Sequence, residues 1–313
     1  MALKRTATSP LIIAHRGACA YLPEHSRGAK ALAYGMGADY LEQDIVATRD
    51  GELVVLHDET LDEVSDVADR FSGRARDNGR HYCIDFDLAE IRTLNFRERV
   101  DPATGALRFP GRYPRAAGGF PVVTLEDEIR FVADLNRSTG REVGIYPEIK
   151  SPAWHLEQGC DLTAAVLRAL EQTGYLAAGR RIFLQCFDPA TLKAVRAEVG
   201  PALPIIQLIG SKTRVTNALL DDIATYATGI GPSMALLRAG RDEEGTHRLN
   251  DLTGRARSRG LVVHPYTFRA DALPEGFQSF DELLELFIER AGIDGLFTDC
   301  TDRVARYRAA VGT

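Results

Sequence analysis

Residues 11–46 read LIIAHRGACAYLPEHSRGAKALAYGMGADYLEQDIV, and the pattern in this stretch repeats along the chain. It begins with the apolar run LIIAH (11–15), continues through HSRGAKALAYGMG (25–37), which has helical periodicity, and ends in the aliphatic run YLEQDIV (40–46). A strand, a helix and a second strand in this order are typical of a βαβ unit, in which the two strands lie parallel in one sheet.

Further apolar runs of strand length bring the strand candidates to eight. The six others are LVVLH (53–57), VGIYPEIK (143–150), RIFLQCF (181–187), IIQLI (205–209), GLVVHPY (260–266) and GLFTD (295–299). Segments with helical periodicity, such as TLEDEIRFVADLN and PATLKAVRAEVG, separate most of them. Eight alternating units predict an α/β fold, a (β/α)₈ TIM barrel rather than an open doubly wound sheet, and no G-x-G-x-x-G follows any of the strands.

The chain is longer than such a barrel requires, because a barrel needs about 250 residues and the chain has 313. Residues 61–120 are rich in Gly, Pro and Arg and show no sustained period, which predicts a loop-rich insertion after the third strand. We expect a single TIM-barrel catalytic domain over residues 1–313 with this insertion as a cap. Insertions that follow a barrel strand lie on the catalytic face.

Composition excludes several classes of protein. The net charge is −6, from 38 Lys and Arg against 44 Asp and Glu, which disfavours a nucleic-acid partner. Five scattered cysteines without a C-x-x-C pattern indicate neither a thiolate metal site nor a disulfide framework. No long apolar run occurs, and none follows the basic N-terminus. We expect no stable membrane association and a cytoplasmic protein, or a periplasmic one if a leader has been removed; the oligomeric state stays open.

Polar side chains cluster at the ends of five predicted strands, and in a barrel these ends converge on one mouth. Glu42 and Asp44 lie on one face of their strand because side chains alternate with period two, and Glu148 and Lys150 do so on theirs. An E-x-D pair alone is typical of a solvated rim, and an E-x-K pair of a salt bridge. Their coincidence favours a divalent cation bound by Glu42, Asp44 and Glu148, and hard oxygen ligands favour Ca²⁺ or Mg²⁺ over Zn²⁺.

Two histidines at strand ends, His15 and His57, are candidates for a general acid and a general base, since imidazole titrates near neutral pH. A lone histidine there is more often structural, so it is the neighbouring metal site that favours catalysis. Arg16 should point away from His15 in a regular strand, and must reach the mouth from the turn at Gly17. With Lys150 and the metal, its guanidinium would surround one anion with positive charge, which predicts attack on a phosphate ester.

The ordered motifs of the chain resemble the glycerophosphodiester phosphodiesterase family over about residues 11–306, and more narrowly its bacterial periplasmic-type branch. These motifs are HRGA, LPEHS, GADYLEQDI, LVVLHDETLDEVSDVADRF, GIYPEIK, LQCFD, VVHPYTFR and GLFTD. The resemblance implies a TIM barrel with an inserted cap. It also implies metal-dependent hydrolysis of glycerophosphodiesters to sn-glycerol 3-phosphate and an alcohol.

The resemblance also implies roles for single residues. In this family the two histidines are the catalytic pair, the E-x-D carboxylates and the Glu of PEIK bind the metal, and the Arg of HRG and the Lys of PEIK contact phosphate. The positions in this chain are His15, His57, Glu42, Asp44, Glu148, Arg16 and Lys150. The branch implies calcium, with magnesium as the alternative. The wider family often has Asn-Thr where this chain has His25-Ser26, so no catalytic role is carried over to His25.

The substrate pocket is less well defined by the sequence. Gln185, Phe187, Tyr266 and Phe268 lie near predicted strand ends and could shape it, although the aromatic residues are equally consistent with packing beneath the mouth. Two other functions remain open: a phospholipase-type phosphodiesterase that acts on intact lipid, and a non-catalytic protein that binds glycerophosphodiesters. The first should expose an apolar or basic docking loop, whereas the insertion is polar with mixed charge.

Overall fold

The computed structural model describes residues 9–113, 119–177 and 179–312. Residues 1–8, on which the expectation about a leader bears, and residues 114–118 of the predicted insertion lie outside the described residues. The strands are β1 (Leu11–Ala14), β2 (Tyr40–Ala47), β3 (Leu53–Val55), β4 (Gly144–Ile149), β5 (Leu184–Cys186), β6 (Ile205–Ile209), β7 (Gly229–Pro232), β8 (Arg238–Arg241), β9 (His247–Leu249), β10 (Val262–Val263) and β11 (Gly295–Thr298). The helices are α1 (Arg27–Gly35), α2 (Val67–Arg70), α3 (Leu88–Ile91), α4 (Leu125–Thr139), α5 (Pro152–Glu157), α6 (Leu162–Gln172), α7 (Pro189–Val199), α8 (Asn217–Ile223), α9 (Leu252–Arg257), α10 (Phe280–Leu284) and α11 (Thr301–Ala310).

Eight parallel strands form a closed barrel, which confirms the predicted fold class. They follow one another in the order β11, β1, β2, β4, β5, β6, β7 and β10, each parallel to the next. The chain beyond β10 closes the barrel against β11, where the Phe297 amide donates to the Pro265 carbonyl (3.1 Å) and the Phe268 amide donates to the Phe297 carbonyl (2.8 Å). The carboxyl ends of all eight strands therefore open on one mouth.

One of the eight predicted barrel strands is wrong. The run LVVLH forms β3, but β3 is antiparallel to β2 and is the arm of a hairpin outside the barrel. The barrel strand that the sequence reasoning missed is β7, GIGP, whose glycines lie against neighbouring strands. A Cβ at Gly229 would meet the Val262 carbonyl oxygen at 2.6 Å, and one at Gly231 would meet the Leu208 side chain at 2.7 Å. The polar segment after LVVLH consequently lies between the second barrel strand and helix α4.

The helices between barrel strands pack their apolar faces on the barrel, and their ends carry the usual signals. The hydroxyls of Ser26 and Thr124 accept hydrogen bonds (3.1 Å each) from backbone amides in the first turns of α1 and α4. Gly140 ends α4 in the left-handed conformation, with φ of 70°. Within the described residues, no helix has both the length and the apolar character needed to cross a membrane.

Residues 61–120 contain the short helices α2 and α3 and have a hydrophobic cluster of their own. Leu61, Phe86 and Ile91 are fully buried in it, and residues of β2 and β3 complete it. The Arg49 amide donates to the Phe86 carbonyl (2.9 Å), which ties the segment to the end of β2. The segment is therefore attached beside the carboxyl end of the second barrel strand, next to the mouth.

Candidate active site

A cavity of about 460 Å³ opens at the carboxyl ends of the barrel strands. It is lined by all ten residues predicted for the site, which are His15, Arg16, Glu42, Asp44, His57, Glu148, Lys150, Gln185, Phe187 and Tyr266. Phe268, which was also expected near the pocket, does not line it. Its fully buried ring packs edge-on against Phe287, with the ring centroids 5.1 Å apart, and fills the apolar layer outside the barrel.

Strand register brings the three predicted metal ligands together. Glu42 and Asp44 are two residues apart on β2, and Asp44 is aligned with Glu148 on the neighbouring strand β4. Their carboxylate oxygens lie within 4.8 Å of one another, and all three residues are buried. Alternation along one strand and pairing with the next are thus enough to build a cluster of carboxylates.

The three carboxylates repel one another in this buried position. Burial, together with the charge of Asp44, raises the pKa of Glu42 well above its usual range, and burial raises the pKa of Glu148 to about 7. Burial also opposes the charge of Asp44, but Lys150 and two neighbouring histidines hold the pKa of Asp44 well below its usual range. Within the described part of the chain, the buried Asp44 Oδ1 accepts no hydrogen bond, and Lys150 Nζ lies 3.5 Å from it. A set of hard oxygen donors with an unsatisfied oxygen fits a divalent cation, whose charge would remove the repulsion.

Each predicted catalytic histidine is paired with an aspartate. His15 Nδ1 lies 2.7 Å from Asp299 Oδ1, and His57 Nδ1 lies 2.6 Å from Asp58 Oδ1. Burial opposes ionisation of both aspartates, but neighbouring cations and the histidines themselves hold their pKa values below the usual range. The ionised aspartates accept the Nδ1 protons, which leaves each Nε2 as a proton acceptor. Burial lowers the pKa of His15 to about 3 and also lowers that of His57, so both imidazoles are neutral at pH 7.

Arg16 reaches the cavity because the chain leaves the strand conformation at this residue, where φ is 56°. Gly17 continues the turn with φ of 89°, and a Cβ there would meet the Ala29 carbonyl carbon at 2.8 Å. The Arg16 amide donates to Glu42 Oε2 (2.6 Å), and Nη1 donates to Glu24 Oε2 (2.8 Å). The turn that was predicted at Gly17 therefore begins one residue earlier and joins Arg16 to the carboxylate cluster.

The sequence reasoning gave no role to Asp299, although it anchors one side of the site. Besides its contact with His15, its carboxylate accepts hydrogen bonds from Arg112 (2.6 Å) and Arg269 (2.8 Å). The signal was available, because Asp299 ends the predicted strand GLFTD as the other site residues end theirs. The arginines could not be found in this way, since neither is at the end of a predicted strand.

Glu24 and Arg99 form a second support that the sequence reasoning missed. Arg99 lies within the segment 61–120, and its Nη2 is 2.6 Å from Glu24 Oε1. Its Nη1 pairs with Asp58. Arg99 thus connects Glu24, which accepts a hydrogen bond from Arg16, to Asp58, which is paired with His57. The inserted segment contributes directly to the geometry of the mouth.

The remaining wall of the cavity is partly apolar. Gln185 Nε2 lies 3.4 Å from Glu42 Oε1, whereas Gln185 Oε1 is buried without a partner. Phe187 is 46% exposed and meets the Tyr266 ring edge-on, with centroids 6.1 Å apart. The Tyr266 hydroxyl donates to the Ile209 carbonyl (3.1 Å). Two aromatic rings and one amide thus form this side of the cavity.

Comparison with known sequences agrees with this geometry. Residues 15–303 match the model of the glycerophosphoryl diester phosphodiesterase family. The chain is 37% identical to the glycerophosphodiester phosphodiesterase of Haemophilus influenzae, over 96% of this chain and 90% of that protein. It is 31% identical to the glycerophosphodiester phosphodiesterase of Treponema pallidum, over 95% of this chain and 91% of that protein.

Comparison with solved structures bears on the fold alone, because the identities are low. A crystal structure from Silicibacter pomeroyi is similar with a TM-score of 0.72 at 23% identity, over 97% of this chain and 95% of that one. The structure of an Oleispira antarctica phosphodiesterase, in complex with the product sn-glycerol 3-phosphate, has a TM-score of 0.66 at 18% identity, over 97% of both chains.

Proposed function

The chain belongs to the glycerophosphoryl diester phosphodiesterase family and is a phosphoric diester hydrolase, and on that basis we propose that it hydrolyses glycerophosphodiesters to sn-glycerol 3-phosphate and an alcohol. One observation carries the proposal. A single cavity is lined by two histidines with aspartate partners, three clustered carboxylates, an arginine and a lysine. This set supplies proton acceptors and donors, ligands for a cation, and positive charge around one phosphate group.

Arg16 and Lys150 bind the nonbridging oxygens of the phosphodiester in this proposal. Lys150 Nζ lies 2.9 Å from Glu148 Oε1 and 3.5 Å from Asp44 Oδ1. Burial opposes the charge on both cations, but the neighbouring carboxylates raise the pKa of each above its usual value, so both stay charged. Their charges stabilise the negative charge that accumulates on these oxygens when phosphorus becomes five-coordinate.

His15 and His57 transfer protons: one accepts a proton from the attacking oxygen, and the other donates a proton to the departing alcohol oxygen. Both are neutral before substrate binds, and an anionic substrate favours the protonated imidazole. The aspartate at each Nδ1 fixes the tautomer and stabilises the imidazolium that forms. The attacking oxygen belongs either to water or to the neighbouring glycerol hydroxyl, and the second route gives a cyclic phosphate first.

Glu42, Asp44 and Glu148 are the residues that would hold a divalent cation, Ca²⁺ in preference to Mg²⁺ by resemblance to the periplasmic-type branch. A bound cation would neutralise phosphate charge and lower the pKa of an oxygen bound to it. Gln185 stands beside Glu42 and orients its carboxylate.

The experiment that tests the proposal is release of glycerol 3-phosphate from glycerophosphocholine and glycerophosphoglycerol by purified protein. Activity is measured after chelation and again with Ca²⁺ or Mg²⁺ restored. We expect activity to be lost on chelation and regained with one of the two ions. A parallel reaction with intact phospholipid vesicles should give less product. Preference for vesicles would indicate a lipid-cleaving enzyme, and absence of product with either ion would indicate a binding protein.

A further inference from the structure

Among the residues that the structure describes, four cationic side chains line the cavity, and one of them has no carboxylate partner. Arg16, Lys150 and Arg269 each have a carboxylate oxygen within 4 Å, on Glu24, Glu148 and Asp299. Arg238 has none among the residues that the structure describes. Among the described lining residues, Arg238 is therefore the cation whose charge is not balanced by a nearby carboxylate.

Arg238 lies away from the phosphate-binding residues. It begins β8 in the loop after β7, whereas the carboxylate cluster lies on β2 and β4, with β5 and β6 between them in the barrel. Its Nη2 donates to the Glu275 carbonyl (3.0 Å), and its guanidinium lies over the Phe277 ring, 5.2 Å from the centroid. These contacts hold the group in place without neutralising it.

Part of the Arg238 guanidinium is also unsatisfied as a hydrogen-bond donor. Its Nε is buried and has no hydrogen-bond partner. An unpaired donor on a partly buried cation is unfavourable unless a ligand or solvent compensates it. The apolar side chains of Met234, Phe187 and Tyr266 line the same cavity and do not provide that compensation.

We propose that Arg238 forms a subsite for an anionic oxygen carried by the leaving alcohol of the diester. This inference rests on the proposed function. A diester whose phosphate lies at the carboxylate cluster has two substituents, and one of them extends toward β7. The glycerol substituent is uncharged and does not balance a guanidinium, whereas a leaving alcohol that bears a carboxylate or a second phosphate does.

The charges of the wall also disfavour a cationic leaving group such as an alkylammonium alcohol. Among the described lining residues, Glu42, Asp44 and Glu148 supply the negative charge, and all three belong to the proposed cation site. An ammonium group near Arg238 would meet a like charge in surroundings of reduced dielectric constant. The cavity therefore selects among head groups by their charge.

A series of esters built on one scaffold tests this selection. Glycerophosphoethanolamine has a cationic leaving group, its N-acetyl derivative a neutral one, and its N-succinyl derivative an anionic one. We expect kcat/KM to rise in that order, with at least about a tenfold difference between the two ends, on the scale of one hydrogen bond to a charged group. Addition of salt should reduce the difference.

Variants separate the subsite from other effects, with the ratio of kcat/KM for the anionic ester to that for the cationic ester as the readout. Arg238→Gln should bring this ratio close to one, and Arg238→Lys should retain most of it. Arg248→Gln is the matched control, because Arg248 is an exposed arginine of β9, which pairs antiparallel with β8, and does not line the cavity. Its ratio should equal that of the wild type.

The outcomes distinguish the two proposals. Hydrolysis of none of the esters would refute the proposed function itself. Hydrolysis of all three with no dependence on charge in the wild type would overturn only the Arg238 subsite, even if Arg238→Gln failed to fold. An equal loss for all three esters in Arg238→Gln would also overturn it, because Arg238 would then bind the glycerol that they share.

Discussion

His57 and His81 are each paired with an aspartate through Nδ1, but they differ in position. His81 Nδ1 lies 2.8 Å from Asp62 Oδ1, much as His57 lies beside its own aspartate, yet His57 lines the cavity and His81 does not. We expect His57→Ala and His15→Ala each to lower kcat by about 10²–10⁴-fold, as for loss of a general acid or base. His81→Ala should lower stability and leave the kcat of the folded protein within about threefold. Comparable losses of kcat in all three variants would contradict the assignment.

Asp299 couples the site to stability, because one buried carboxylate serves His15, Arg112 and Arg269. Asp299→Asn leaves both arginines without this counter-charge, and we expect the free energy of unfolding to fall by about 3–5 kcal/mol, measured by urea denaturation. Asp58→Asn is the comparison, because Asp58 is 26% exposed in its side chain and should cost less. An Asp299→Asn variant as stable as the wild type would show that the arginines find other partners.

At the scale of elements, a buried ion pair supports strand β2 behind the carboxylate cluster. Lys30 Nζ on α1 lies 2.6 Å from Glu128 Oε1 on α4, and Gln43 between the two metal-ligand candidates donates to the same oxygen (2.8 Å). Lys30→Met alone should lower the free energy of unfolding by about 3–5 kcal/mol, since it leaves a buried carboxylate unpaired. The double variant Lys30→Met, Glu128→Leu should recover most of this loss in a double-mutant cycle. Additive losses would exclude coupling between the two helices through this pair.

The barrel strands show which parts of the fold can be predicted from the sequence and which cannot. Apolar runs identified β1, β2, β4, β5, β6, β10 and β11, because each of these strands lies in a run with several β-branched, aliphatic or aromatic residues. The run LVVLH is equally apolar, but periodicity does not say which strand it pairs with, and it forms a hairpin arm. β7 reads GIGP, and Gly229 and Gly231 are required because neighbouring strands approach closely there. Glycine therefore takes the place of the apolar residues by which the other strands were recognised.

The site residues also divide into those that local sequence patterns predict and those that depend on tertiary contacts. Residues at the ends of recognised strands, such as Glu42, Asp44 and Glu148, were predictable because register in a parallel sheet brings such ends together. Arg99 and Arg238 were not, since they lie in long connections whose path depends on tertiary contacts. Which loop side chains reach the mouth depends on where the loop folds back on the barrel. The hydrophobic periodicity of the sequence does not determine this.

At the scale of the whole molecule, three buried histidines should make the protein sensitive to acid. Burial lowers the pKa of His15 to about 3 and those of His25 and His264 to about 4, from the ordinary 6.5. Between pH 6.5 and about 4 the unfolded chain binds protons that the folded chain does not. The free energy of unfolding should therefore be full above pH 6.5 and fall as the pH is lowered through this window, as measured by urea denaturation in chelator. Stability that stays constant or rises as the pH is lowered through this window would contradict the prediction, because the three histidines together should outweigh the opposing titration of Glu148.

Glu148 acts in the opposite direction and links cation binding to stability. Its pKa in the folded protein without a cation is about 7, above that of the unfolded chain, so its contribution is present at low pH and lost as the pH rises through 7. Ca²⁺ or Mg²⁺ binds the ionised carboxylates and removes their repulsion, whereas protons compete for the same oxygens at low pH. Excess cation should therefore raise the unfolding temperature more at pH 8 than at pH 5, with a gain of about 2.7 kcal/mol at a hundredfold excess over Kd.

Glu148→Gln removes both the repulsion and a ligand, so its unfolding temperature should respond less to cation. An equal response of the wild type at both pH values would mean that the cation binds elsewhere, because a cluster held by these three carboxylates cannot bind protons and metal independently.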